Sequence, residues 1–237
     1  MVKKNVLIEV KGIRKVYKMA SEKVIALNKI DLAINKGEIC CILGTSGSGK
    51  STLLNMMAGL EKPTKGSVII AGHNVSKMSE KKLAILRQKY IGFVFQSYNL
   101  LPSLTAQENV ALPLMFKGIG KGKRNVTARK MLKAVKLGER WKHKPNEMSG
   151  GQQQRVGIAR AFVAKPMVVF ADEPTGNLDT KTTKEVMELI LGVARDHNQT
   201  LVIVTHDRSI ASYTDRIITI SDGNVVGDEK VEQQVKN

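Results

Sequence analysis

A chain of 237 residues, 42% hydrophobic and 25% charged, is long enough to bury a full core and lacks the composition of a disordered or collagen-like polymer. Its two cysteines, Cys40 and Cys41, are neighbours in a short apolar run; that spacing makes a poor disulfide, no Cys/His pattern for a metal accompanies it, and two reduced thiols in a buried strand fit a reducing cytosol. The formal charge of +17 asks for an anionic partner or a heavily solvated face, and no run of about 18 apolar residues is present to span a bilayer.

The start, MVKKNVLIEV, lacks an apolar stretch of signal-peptide length. Residues 6–17 and 25–34 alternate apolar and polar side chains and are expected as half-exposed strands. Residues 38–43 form an apolar strand that runs into GTSGSGKST, and 50–60 continue as a helix. A strand at 66–71, a helix at 79–89 and a strand at 90–95 follow. Helical spacing returns at 106–116 and 128–137, where Ala128, Met131, Leu132 and Val135 form one core-facing stripe. A helix runs from Gly150 to about 164, followed by a buried strand at 167–171, a helix at 181–195 and a buried strand at 200–205. Asp222-Gly223 between apolar runs at 216–221 and 224–227 signals a hairpin, and the polar 228–237 reads as a frayed tail.

Strands alternating with helices predict an α/β protein: a P-loop NTPase core with a parallel sheet, a small antiparallel β lobe from the early strands, and an inserted α-helical lobe at about 97–163. All of it reads as one domain over 1–237.

Gly44-Thr-Ser-Gly-Ser-Gly-Lys50-Ser51 has the P-loop spacing in the context that the motif requires, after a strand and before a helix. Backbone N–H groups of such a loop curl around the β- and γ-phosphates, Lys50 neutralises their charge, and the Ser51 hydroxyl reaches Mg²⁺. Asp172-Glu173 ends the apolar run MVVFA, where ligands of open α/β sheets gather. Asp172 is the candidate Mg²⁺ ligand and Glu173 the candidate general base, although an acid pair after a strand also serves as a helix cap. His206 and Gln96 each follow a predicted core strand, so each is placed to converge on phosphates; a packed or surface role is the plainer reading of either residue alone. Ser149-Gly150-Gly151, opening the helix after 150, offers a hydroxyl and approachable N–H groups to an anion.

GTSGSGKST, Gln96, MSGGQQQR, FADEPTGNLD and VTHD stand in the order and spacing of ATP-binding-cassette (ABC) ATPase subunits, which the chain resembles over essentially its whole length. The resemblance implies that Tyr17 stacks on adenine and that Gly44, Thr45, Ser46, Gly47, Ser48, Gly49, Lys50, Ser51 and Thr52 form the phosphate loop. It makes Gln96 the lever touching Mg²⁺ and the membrane partner, and Ser149, Gly150, Gly151 and Gln152 the signature that caps the ATP of a second copy. Glu173 matches the catalytic carboxylate, Asp179 the D-loop, and His206 the γ-phosphate switch. Two positions depart from the usual pattern: Met148 stands for leucine, an apolar swap, and Thr45 for a common proline.

The stretch FQSYNLLPSLTAQENVALPL looks like the branch serving lipoprotein release, macrolide export, antimicrobial-peptide resistance and the related cell-division complex (LolD-, MacB- and FtsE-like). That resemblance implies an ATPase on the cytoplasmic face of the cell membrane. It would dimerise on ATP and drive a separate integral permease of the FtsX or MacB kind, in export, extraction or mechanotransmission. Leu100, Leu101 and Leu104 are candidates for a groove that takes the permease's coupling helix.

Between Lys117 and Lys144, eleven Lys/Arg face one acid, Glu139. Anionic lipid, an acidic segment of the membrane subunit, or a well-solvated face each accounts for this excess. The rival class is a nucleic-acid-associated ABC ATPase, favoured by the charge. A single cassette, no long heptad insertion, no zinc motif and one tryptophan, Trp141, argue against it. A regulatory nucleotide binder without turnover is a third reading, opposed by the intact Asp172-Glu173 and His206.

Overall fold

The computed structural model describes residues 5–19 and 22–231. In chain order the elements are β1 (Val6–Met19), β2 (Glu22–Asn35), β3 (Ile39–Leu43), α1 (Lys50–Met57), β4 (Lys65–Ile70), β5 (His73–Asn74), α2 (Glu80–Tyr90), β6 (Ile91–Val94), α3 (Ala106–Phe116), α4 (Lys121–Ala134), α5 (Gly150–Phe162), β7 (Val168–Asp172), α6 (Thr180–Asp196), β8 (Thr200–Thr205), α7 (Arg208–Ala211), β9 (Arg216–Ser221) and β10 (Asn224–Lys230). They fall into two compact units, Met1–Arg87 with Thr200–Asn237, and Gln88–Gln199.

The first unit holds an antiparallel sheet, β2-β1-β4-β5, and the parallel strands β9, β3 and β8 with β10 antiparallel at the edge. β3 and β8 are buried at every residue. Strands of a parallel sheet covered on both faces have no solvent side, which is why these runs are almost continuously apolar. In β2, Ile30, Leu32 and Ile34 are buried alternately, but Leu27 is three residues from Ile30. A register shift between Ile13 and Lys15 of β1 absorbs the extra residue and keeps both sets on the core side. α1 buries Leu53, Leu54, Met56 and Met57. Cys40 and Cys41 lie buried in β3 without a disulfide, and burial pushes the Cys40 thiol pKa well up.

Polar pins hold the strand ends of this unit. Arg216 donates to both carboxylate oxygens of Asp228 at 2.6 Å, to Glu38 at 3.1 Å and to the Ala33 carbonyl at 2.8 Å. This fork holds the Asp228 carboxyl below its usual range. The expected frayed tail therefore begins too early: 228–230 belong to β10, pinned through Asp228, and the remainder from 232 lies outside the described residues. At the hairpin, Asp222 and Gly223 both take positive φ (47° and 72°), as a two-residue type I′ turn requires.

In the second unit β6 and β7 pair in parallel, Ile91 opposite Val168 through Val94 opposite Ala171. α5 packs against β6, α3, α4 and α6. α3 starts at a capping box: the Thr105 hydroxyl accepts from Glu108 N at 3.3 Å, and Glu108 accepts from Thr105 N at 2.9 Å, which lowers the Glu108 pKa. α4 begins at Lys121, seven residues before the expected 128, and ends at Ala134. Residues 121–127 carry one large apolar side chain, Val126, and it faces solvent, so no apolar stripe betrays the first two turns. Ala128, Leu132 and Val135 are buried as expected, and Met131 half so.

Candidate functional site

In the first unit the register of β3 with β8 pairs Leu43 with Thr205. The loop that starts at Gly44 and the residue His206 therefore leave the same end of adjacent parallel strands. Gly44 is sterically obligatory, since a Cβ there would sit 2.3 Å from the Ile220 carbonyl oxygen and 2.7 Å from Ser48 Oγ. Gly49 has φ 102° and ends the loop as the N-cap of α1 without any side-chain cap. A Cβ at Gly49 would lie 2.5 Å from the Ala26 carbonyl oxygen.

The donors at the start of α1 are thus left without a capping side chain, and its first turn carries no acid. Lys50 is 6% exposed, and its ammonium donates to the Thr45 carbonyl at 2.7 Å. Ser48 Oγ is buried with no hydrogen-bond partner. Thr45, Ser46, Gly47 and Ser51 form an exposed rim, and Thr52 is half-buried. A curled loop with open N–H groups, a buried cation and an unpartnered hydroxyl is suited to a polyphosphate.

Tyr17 donates to Glu61 at 2.8 Å, and Lys15 pairs with the same carboxylate at 2.6 Å while lying 4.9 Å from the ring centre. Desolvation and then Glu61 raise the phenol's pKa, and a hydrogen bond with Thr52 works the other way. Tyr17 is thereby tied to the helix that carries the phosphate loop. His206 is exposed just past β8 and precedes Asp207, whose carboxylate accepts from Ser209 N at 2.8 Å and starts α7.

In the second unit Gln96 and Glu173 lie just past the aligned ends of β6 and β7, and Asp172 is the last residue of β7. Neither acid caps a helix. α6 starts at Thr180, and Asp179 caps it by accepting from Thr182 N at 3.0 Å and Thr182 Oγ1 at 2.6 Å, bonds that hold its carboxyl below the usual range. That removes the helix-cap account of Asp172-Glu173. Glu173 takes φ 44°, a conformation that ordinary side chains resist, so the loop imposes its backbone direction.

Ser149, Gly150, Gly151, Gln152 and Asp179 line one cleft of about 510 Å³. Ser149 makes a capping box with Gln152: its oxygen accepts from Gln152 N at 3.4 Å, and Gln152 Oε1 accepts from Ser149 N at 3.1 Å. The box pairs the N–H groups of Ser149 and Gln152 and does not engage those of Gly150 and Gly151, the two glycines expected to approach an anion.

Four side chains that carry this geometry escaped the sequence reading. Asn177 bonds Gln96 twice, at 3.1 Å to its carbonyl and 3.5 Å to its carboxamide. Gln154, fully buried, donates to the Pro174 carbonyl. Arg160 donates to the Tyr98 and Asn99 carbonyls at 2.8 and 2.6 Å, and burial lowers its pKa. Asn109, also fully buried, accepts from Leu101 N at 2.8 Å and donates to the Leu101, Leu104 and Thr105 carbonyls at 3.1 Å. One signal was available: Gln154 lies on the i, i+4, i+8 stripe of Ile158 and Phe162, where a polar residue needs a buried partner.

A strand–loop–helix phosphate cradle on a parallel sheet defines a P-loop nucleotide-binding protein. Residues 27–176 match the ABC transporter family model. An ABC transporter ATP-binding protein of Thermotoga maritima is 47% identical over 224 residues, covering 94% of this chain and 95% of its own. The ATP-binding/permease protein MacB 1 of Yersinia pestis is 45% identical over 222 residues, of which this chain spans 34% of the length. A dimeric, post-hydrolysis structure of the ATP-binding cassette MJ0796 bound to ADP and Pi superposes with a TM-score of 0.89 at 43% identity, covering 95% of this chain and 99% of that one. MJ0796 is an ABC transporter ATP-binding protein of Methanocaldococcus jannaschii. The chain belongs to the ABC transporter family, as its ATP-hydrolysing, nucleotide-binding cassette. No helix among the described residues is long and apolar enough to cross a membrane.

Proposed function

We propose that this cassette turns over ATP as a homodimer on the cytoplasmic face of the membrane and drives a separate permease of the FtsX or MacB kind. The observation that carries the reading is the uncapped start of α1 with Lys50 buried beneath the loop. Backbone N–H groups from Gly44 to Thr52 hold the β- and γ-phosphates, and Lys50 neutralises their charge. Tyr17 stacks on the adenine. A water attacks the γ-phosphorus and passes its proton to Glu173, the bond to the β–γ bridging oxygen breaks, and ADP and inorganic phosphate result. His206 contacts the γ-phosphate.

The donors suit Mg²⁺: Ser51 supplies a hydroxyl, Asp172 one carboxylate and Gln96 a carboxamide oxygen, all hard oxygens, with phosphate and water left to complete the set. When bound, the ion neutralises charge on the β- and γ-oxygens.

Ser149, Gly150, Gly151 and Gln152, with Asp179 beside them in the cleft, cap the ATP held on the second copy's loop. MJ0796 is dimeric in its solved structures, and its likeness here supports the homodimer. That MacB carries a permease portion beyond the third matched by this chain supports a membrane-spanning partner. Leu104, with Ala111, Leu112 and Met115, lines a cleft of about 250 Å³ that suits an apolar coupling helix. Leu101 stands 47% exposed on the loop that Asn109 clamps.

Glu173→Gln tests the reading. Turnover should fall at least 100-fold, the range for losing a general base, while ATP still binds and an ATP-bound dimer accumulates on gel filtration. Hydrolysis at the wild-type rate would remove Glu173 from the chemistry.

A further inference from the structure

Of the basic residues between Lys117 and Lys144, Lys136 alone lines the cleft formed by Ser149–Gln152 and Asp179, and the structure sorts the rest. Lys117 is spent on the Ala164 carbonyl, at 2.9 Å. Arg129 donates to Gln107 at 2.5 Å and lies 3.7 Å from the Trp141 ring centre, with Lys142 at 4.8 Å. Those cations already cover Trp141, so it offers no platform for stacking bases. Lys123, Lys130 and Lys133 are exposed, and among the described residues none of them makes an ion pair. Steps of three, four and three residues put Lys123, Val126, Lys130 and Lys133 on one face of α4, opposite the buried Ala128 and Leu132.

This face is not purely ionic. Val126 is 55% exposed in its middle. At the α3–α4 corner, Phe116 is 65% exposed, and its carbonyl is held by the Gln88 side chain. Large apolar side chains standing in water beside unpaired lysines cost free energy in a free cassette. The same combination is what an interfacial helix presents to an anionic bilayer, apolar groups entering the headgroup layer and ammonium groups meeting lipid phosphates.

We propose that the α3–α4 corner and the outer face of α4 form a binding surface for anionic phospholipid, with Phe116 as the inserting side chain and Lys123, Lys130 and Lys133 as the phosphate contacts. This rests on the reading that the cassette works beside a bilayer, and it adds a direct lipid contact that the permease does not supply.

The test is co-sedimentation of the full chain with phosphatidylcholine vesicles, with and without phosphatidylglycerol, across a salt series. Binding should require phosphatidylglycerol and weaken with salt. Lys123→Gln/Lys130→Gln/Lys133→Gln should lower partitioning on the order of 100-fold, from about 1 kcal/mol per basic residue, and flatten the salt dependence. Phe116→Ser should lower it severalfold and leave the salt dependence in place. Both variants should keep wild-type ATPase rates. A triple variant that binds like the wild type overturns the proposal. So does a wild type that ignores the vesicles but binds polyglutamate or single-stranded DNA, which would assign the face to a protein or nucleic-acid partner. Absent vesicle binding with turnover intact strikes this inference alone; absent turnover in the wild type strikes the proposed function instead.

Discussion

Two helices of this protein begin behind serine and glycine, and they begin differently. α1 starts from Gly49 in a left-handed conformation with no side chain over its first turn. α5 starts from Ser149 in an extended conformation, with Ser149 and Gln152 capping each other reciprocally. The first arrangement leaves orphan N–H groups and adds a buried ammonium, so it is incomplete until an anion arrives. The second pairs the Ser149 and Gln152 N–H groups, brings no buried ammonium, and leaves Gly150 and Gly151 to add to a ligand that something else holds. Nucleotide affinity should therefore reside at α1, and α5 should act on an ATP that is already bound.

The largest effect that would break this contrast is at Lys50. Lys50→Ala should weaken ATP binding by about 100-fold, the upper part of the range for a lost charge-assisted hydrogen bond. Equilibrium titration with a fluorescent ATP analogue measures it, and unchanged affinity would take the binding role away from α1. Ser149→Ala comes next. It should leave the affinity of a single protomer within twofold while lowering turnover at least tenfold, and the lost cap should cost about 1 kcal/mol of stability. A drop in monomer affinity equal to that of Lys50→Ala would mean that α5 binds nucleotide within its own chain.

A smaller effect separates the stability of the sheet from both helices. The Arg216 fork depresses the Asp228 pKa. A depressed carboxylate contributes stability that is present above its unfolded pKa of about 3.9 and lost as pH falls through the lower folded value. Asp228→Asn should therefore reduce thermal stability modestly at neutral pH and flatten its acid dependence below about pH 4, without changing ATP affinity. Acid melting curves identical to wild type would show that the fork contributes nothing beyond packing.

Much of this architecture is legible along the chain because local rules decide it. β3 and β8 read as buried strands from unbroken apolar runs, and both are buried throughout. The phosphate loop was readable because its glycines answer steric demands: Gly44 has the Ile220 carbonyl against it and Gly49 the Ala26 carbonyl. What failed to show did so for physical reasons. The first two turns of α4 pack little apolar surface, so no period announces them. Asn177, Arg160 and Asn109 act on backbone carbonyl or amide groups of segments whose proximity is set by the fold.

By itself the sequence determined the local motifs: a phosphate loop between strand and helix, an acid pair after a buried strand and a serine and two glycines opening a helix, each set by near-neighbour spacing. Only the tertiary structure decided which of these groups remain open. It put Asp179 rather than Asp172 or Glu173 at the start of α6, joined Ser149 and Gln152 in a capping box at the start of α5, and left the start of α1 without a side-chain cap. It also turned a count of lysines into a surface, by burying Ala128 and Leu132 and leaving Phe116 and Val126 in water. A hydrogen bond's partner and a side chain's solvent exposure depend on what the rest of the chain folds against them, and spacing along the chain does not encode that.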